Sequence, residues 1–188
     1  APVILSAAML RSGVKSAGIR QLISSCRELQ NSAQDFILVI VGDGRQRADL
    51  EQAARQALGS RCLFVGKVPR QELYRYYSAA DLFAFPGIEE SLGMVYLEAQ
   101  SAGLPVVAFR AWGASEVVFD GQTGLLAPAS QPELFTNAIR TLLNDTDLRK
   151  RLGRQARQHV IKHHDLKTNY RFLDEQLRTT VQHNKRSG

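Results

Sequence analysis

Two acids stand eight residues apart in the segment Glu90-Ser-Leu-Gly-Met-Val-Tyr-Leu-Glu98. Pro86 and Gly87 end an apolar run before it, and Ser91 or Gly93 can open a helix that continues through Ala102. Glu90 then hangs in a loop, and Glu98 lies on the helix one turn beyond Met94. The backbone N–H groups of the helix start fall between the two carboxylates. This suits a ligand with phosphate at its centre and hydroxyls at both ends, because helix N-termini favour anions and carboxylates accept hydrogen bonds from polyols. Glu90 alone also reads as an acid favoured by the helix dipole. Glu98, set in the apolar stretch Met94-Val-Tyr-Leu-Glu-Ala99, demands partners, since a carboxylate buried without them is costly.

Carboxylates repel phosphate, so the cations for such a ligand must come from another loop. The segment Ala7-Ala-Met-Leu-Arg-Ser-Gly-Val-Lys-Ser-Ala-Gly18 supplies Arg11 and Lys15 among small residues that let a phosphate approach the backbone, with a helix expected from near Ser16. It reads equally as an ordinary loop with two solvated cations. Val41-Gly-Asp-Gly-Arg45 invites comparison with a dinucleotide fingerprint but lacks the third glycine, Arg47 standing in its place, and no acid ends a neighbouring strand. It reads as a tight turn. In Phe109-Arg-Ala-Trp-Gly-Ala-Ser-Glu116, Gly113 is compatible with backbone approach to a ligand, while Ser115 and Glu116 suit the start of a short helix. His159 and His163 stand four apart, but without the glutamate of a zinc-protease helix they read as a solvated helix end. The chain has no Gly-x-Ser-x-Gly elbow, and Gly66-Lys67-Val68 does not complete a Walker loop.

The elements that must position these loops follow from hydrophobic period. Short, almost wholly apolar runs at Val3 to Leu5, Phe36 to Val41, Leu63 to Val65, Leu82 to Phe85 and Val106 to Ala108 read as parallel strands buried on both faces. Between them run stripes of helical spacing: Ile19, Leu22, Ile23, Cys26 and Leu29; Leu50, Ala53, Ala54, Ala57 and Leu58; Phe135, Ala138, Ile139, Leu142 and Leu143. Phe119 to Leu126 reads as a turn into a short extended piece. Beyond residue 145 only helices are expected, one carrying Leu148, Leu152, Ala156 and Val160. A second carries Leu166, Tyr170, Leu173, Leu177 and Val181 before a frayed Asn184-Lys-Arg-Ser-Gly end. The expected architecture is a doubly wound, Rossmann-like α/β sheet with a C-terminal helical tail, divided as residues 1–164 and 165–188. Ligands bind such sheets at the carboxyl ends of the strands.

Composition narrows the function classes. A length of 188 residues with 44% hydrophobic content supports one compact core. No apolar run is long enough to span a bilayer and the first residues lack a signal-peptide pattern, which predicts a soluble chain kept in the cytoplasm. Cys26 and Cys62 read as buried thiols in a reducing compartment. The net charge of +6 comes from the tail: residues 1–144 hold 13 basic and 13 acidic side chains, residues 145–188 hold 11 and 5. That distribution argues against a nucleic-acid partner and allows peripheral contact of the tail with an anionic membrane at its inner face, although a solvated helical face is the simpler reading.

Taken in order, these motifs resemble the C-terminal domain of family 4 glycosyltransferases, which have the two-domain B-type architecture. The resemblance runs from about Val3 to Gly153. It is carried by Ile37-Leu-Val-Ile-Val-Gly-Asp-Gly44, Phe64-Val-Gly-Lys-Val-Pro69, Tyr77-Ser-Ala-Ala-Asp-Leu82, Glu98-Ala-Gln-Ser-Ala-Gly-Leu-Pro-Val-Val107 and the Glu-x7-Glu pair Glu90 and Glu98. It implies that the chain binds a nucleotide diphosphate sugar and transfers the sugar with retention, by front-side displacement assisted by the leaving phosphate. It implies that Glu98 holds the ribose, Glu90 the hydroxyls of the transferred sugar, the Ser91-Leu92-Gly93-Met94 stretch sugar and diphosphate, and Lys15 the diphosphate. The segment around Lys67 and Val68 would meet the base. No metal or other cofactor is implied, and the acceptor, a glycan or lipid-linked glycan such as lipopolysaccharide, would sit on an N-terminal domain that this chain does not contain. The last helix would cross back toward that domain. Three positions depart from the pattern: Ala8-Met9-Leu10 replaces Gly-Arg-Leu, leaving Arg11 as the candidate for the diphosphate; Ser91-Leu92 replaces Gly-Phe; and Ala114 replaces a second glycine. Half of a two-domain nucleotide-sugar epimerase, or a non-catalytic binding module with a decayed donor site, would share the fold.

Overall fold

The computed structural model describes the backbone of residues 1–186 and the side chains of residues 1–180. The five expected strands form as β1 (Val3–Ala7), β2 (Ile37–Val41), β3 (Cys62–Gly66), β4 (Leu82–Ala84) and β5 (Val106–Phe109). A sixth strand, β6 (Gly124–Ala127), extends the sheet along β5, so the extended piece after Phe119 belongs to the core architecture. Gly124 opens it directly after a turn, so the sequence shows an extended piece there and not its pairing with β5. All pairings are parallel and the order is β3-β2-β1-β4-β5-β6. The chain works outward from β1 to β3, then returns to β4 on the other side of β1. The reversal leaves a crevice between the carboxyl ends of β1 and β4.

Eight helices connect and cover the sheet among the described residues: α1 (Val14–Asn31), α2 (Arg47–Leu58), α3 (Leu73–Ala79), α4 (Met94–Ser101), α5 (Trp112–Val117), α6 (Pro132–Asn144), α7 (Thr146–His163) and α8 (Leu166–Arg186). α1 packs on α2 and α6, whereas α4 packs on α3, α5 and α7, as right-handed crossovers require on either side of the reversal. The stripes read from the sequence are the buried ones: Ile19, Leu22, Cys26 and Leu29 of α1, Leu50 and Leu58 of α2, and Phe135, Ile139 and Leu142 of α6 reach the core. α7 begins at Thr146, where Asp145 caps it by accepting from the Leu148 amide at 2.8 Å.

Two expectations are corrected. β3 is an edge strand and alternates rather than burying both faces, with Leu63 53% and Val65 36% exposed; its Cys62 is half-buried while Cys26 is fully buried. Burial pushes both thiols up, Cys62 to about 12 with help from the nearby Glu51 carboxylate. α8 is helical through Arg186, where the sequence places a frayed end from Asn184. Leu166, Tyr170, Leu173 and Leu177 are all exposed; the Val181 side chain and residues 187 and 188 lie outside the described residues. No described helix is long and apolar enough to cross a membrane.

Asp81 shows how a surface motif anchors the fold. Its carboxylate accepts from the Val3 amide at 2.8 Å and lies 3.4 Å from the Arg149 guanidinium, tying the start of β1 to α7.

Candidate functional site

The loops at the carboxyl ends of the strands are zipped to one another before any ligand is considered. Ala8 donates to the Val41 carbonyl, Leu10 to that of Asp43 and Gln46 to that of Leu10, each at 3.0 Å, and Gly42 donates to the Gly66 carbonyl at 2.9 Å. Gly42 makes this possible: a Cβ there would stand 1.9 Å from the Ala8 carbonyl oxygen, and its φ of 139° disfavours any side chain. The Gly-Asp-Gly turn is therefore a docking joint between the β1–α1 and β2–α2 loops.

A second joint holds the acidic segment. Gly113 donates to the Glu90 carbonyl at 2.6 Å, and a Cβ on Gly113 would lie 2.7 to 2.8 Å from Glu90 O, Ser91 O and Gly93 N. The close approach that Gly113 allows is to the protein's own loop rather than to a ligand. Gly93 is buried under α5 and caps α4 in the left-handed region, φ 67°. α4 thus begins at Met94, after the loop that follows β4, and α1 begins at Val14, two residues before the expected Ser16.

A cavity of about 810 Å³ opens at the ends of β1, β2 and β3, in the size range of small-ligand sites. Its wall contains Arg11, Lys67, Val68 and Glu98 of the expected residues. The others, Lys15, Glu90, Ser91, Leu92, Gly93 and Met94, do not line it and lie in the segments that follow β1 and β4. Lys15 and Glu90 form an ion pair there, their side chains 28% and 12% exposed. Burial draws the Lys15 ammonium below the ordinary lysine value. The ammonium also stands 5.8 Å from the centre of the Phe85 ring. Ser91, Leu92 and Met94 are exposed. The structure thus brings together two residues, Lys15 and Glu90, that the sequence assigns to different parts of a ligand.

Glu98 finds the partner its position demands. The Tyr77 hydroxyl donates to its Oε2 at 3.1 Å across the α3–α4 contact. Tyr77 is 3% exposed and its ring packs at a tilt on Phe83, centroids 5.9 Å apart, which holds the donor in place. Sequence reasoning placed Tyr77 only within a motif, and it missed Arg45 and Asp43, which also line the cavity. For Arg45 the signal was present, since it follows a strand at the carboxyl edge. For Tyr77 none was, because the pairing depends on how two helices cross. Among the described residues no group of three or more histidine, cysteine or acidic side chains is placed to hold a metal ion.

A parallel sheet ordered 3-2-1-4-5-6, with a cavity at the carboxyl ends of its strands and a tyrosine-held carboxylate in the wall, defines a doubly wound α/β architecture with a candidate ligand site. Comparison with known proteins makes this specific. Residues 3–159 match the family described as Glycosyl transferases group 1, and the chain belongs to that family. It is 33% identical over 184 residues to the GDP-mannose-dependent alpha-(1-6)-phosphatidylinositol monomannoside mannosyltransferase of Mycolicibacterium smegmatis, covering 94% of this chain and 47% of that protein. The crystal structure of the Anabaena protein HepE in complex with UDP-glucose superposes with a TM-score of 0.78 at 28% identity, over 94% of this chain and 48% of that one. The isolated C-terminal domain of a group 1 glycosyl transferase from Francisella tularensis shares the fold, with a TM-score of 0.75 at 22% identity and 87% of both chains covered. The chain spans about half or less of the length of the curated relatives it matches.

Proposed function

We propose that this chain is the donor-binding half of a retaining glycosyltransferase and takes a nucleotide diphosphate sugar into the crevice between β1 and β4. The observation that carries the reading is the placement of Glu98: a carboxylate in the wall of the cavity at the strand ends, beside the β1–β4 switch point, one turn into a helix that starts after β4. Glu98 accepts the ribose hydroxyls. The Lys67 and Val68 segment lies against the base. The diphosphate meets Arg11, Lys15 and the backbone of Leu92, Gly93 and Met94, while Glu90 accepts hydroxyls of the transferred sugar. Fixed cations and a helix N-terminus stabilise the departing diphosphate, without calling on a metal. A relative named for GDP-mannose and a solved neighbour in complex with UDP-glucose support the donor class.

The transfer breaks the bond between the anomeric carbon and the diphosphate and joins the acceptor oxygen to that carbon on the same face, the proton of the acceptor hydroxyl passing to the leaving phosphate oxygen, so that configuration is retained. The acceptor, a glycan or lipid-linked glycan, is held by a further domain. The cytoplasmic face of a membrane is the setting in which such acceptors meet nucleotide sugars, and the basic tail suits it electrostatically.

The test is Glu98→Ala. Loss of charge-assisted hydrogen bonds worth about 1.5–3 kcal/mol should weaken nucleoside diphosphate binding roughly ten- to a hundredfold, with the fold intact by circular dichroism. Unchanged affinity would remove the ribose role from Glu98.

A further inference from the structure

Glu98 faces two cavities. One is the large cavity at the strand ends; the other, of about 420 Å³, lies on the far side of the α3–α4 contact and is lined also by Arg70 and Arg157. Neither arginine has an ion-pair partner among the described residues. A carboxylate between a ligand cavity and two cations needs something to fix which way it points. The group in place to do so is the Tyr77 hydroxyl, which lines both cavities and donates to Glu98 Oε2 at 3.1 Å. The Tyr77 ring is buried and cannot follow the carboxylate if it swings.

We propose that Tyr77 is a positioning residue for the donor: by holding Oε2 of Glu98 it presents the remaining carboxylate lone pairs to the ribose, and so sets the preference for ribonucleotides over deoxyribonucleotides. The proposal rests on the reading of Glu98 as the ribose acceptor. Burial first, and then the charge and hydrogen bond of Glu98, hold the phenol above its ordinary pKa, which extends to higher pH the range over which it donates.

The experiment is isothermal titration of the 188-residue chain with UDP, GDP and ADP, followed by the 2′-deoxy and 3′-deoxy counterparts of the tightest binder. The wild-type chain should prefer the ribonucleotide at least roughly tenfold over one of them. Tyr77→Phe, which keeps the ring that packs on Phe83, should cut that preference to about threefold or less by weakening the ribonucleotide alone. In a Glu98→Ala background the same change should have no further effect. Equal weakening of ribo and deoxy forms by Tyr77→Phe would mean a merely structural role and overturn the proposal, as would an unchanged preference. The two readings fail separately: if Glu98→Ala abolishes the preference and Tyr77→Phe preserves it, only the role of Tyr77 falls. If Glu98→Ala preserves it, the ribose assignment falls and the positioning role with it.

Discussion

Replacing Glu90 by glutamine should lower stability and raise affinity for a bare nucleoside diphosphate at the same time. The Lys15–Glu90 pair sits in the crevice with side chains 28% and 12% exposed. Removing one partner of a fully buried pair costs about 3–5 kcal/mol, and partial exposure of Lys15 reduces this to roughly 1–2 kcal/mol. In the proposed binding mode the diphosphate competes with Glu90 for the same ammonium. A carboxylate about 6 Å from a phosphate repels it by roughly 3 kcal/mol at an effective dielectric of about 20, and salt screening leaves a gain on the order of tenfold in affinity when that charge is removed. Urea unfolding measures the first effect and calorimetric titration with UDP, GDP or ADP the second. The matching nucleotide sugar should gain less than the bare diphosphate, because Glu90→Gln also loses a strong acceptor for sugar hydroxyls. Diphosphate binding that weakens in step with stability would refute the competition and place Lys15 and Glu90 in a purely structural pair.

Two further outcomes concern the loops and the tail. Gly42→Ala forces a Cβ to within 1.9 Å of the Ala8 carbonyl oxygen and should cost about 2–4 kcal/mol in urea unfolding, by prying the first two loops apart. His159 stacks at 4.6 Å on Phe119 and on His163, and burial, followed by the charges of His163, His164 and Lys162, lowers its pKa from the ordinary 6.5. The unfolded chain therefore binds the proton more readily than the folded one, and stability falls as the pH drops through the window below 6.5. The urea midpoint should decrease between about pH 7 and pH 5, and His159→Gln should flatten that decrease.

Much of this fold is legible in the sequence because parallel strands and their covering helices are specified by local apolar period. Phe36 to Val41 and the Ile19 to Leu29 stripe are self-announcing. β6 and α3 are not: Gly124–Ala127 becomes a strand by pairing with β5, and Leu73–Ala79 is a short helix whose meaning lies in what Tyr77 touches. The same limit governs the site. Glu98 stood out because a carboxylate in an apolar helix needs partners, and the spacing to Glu90 could be counted. That Gly113 serves the loop of Glu90 rather than a ligand depends on how β4 and β5 pair, and that Lys15 meets Glu90 on how β1 and β4 pair. No periodicity encodes such contacts.

The central claim is that the crevice between β1 and β4 binds a nucleoside diphosphate, and thermal unfolding of the 188-residue chain with UDP, GDP and ADP tests it most directly. At least one of them, present at about 100 times its dissociation constant, should stabilise the chain by about 2.7 kcal/mol, and at the same nucleotide concentration Glu98→Ala should cut this to roughly 0.4–1.4 kcal/mol. An unfolding midpoint that none of the three nucleotides moves would contradict the claim.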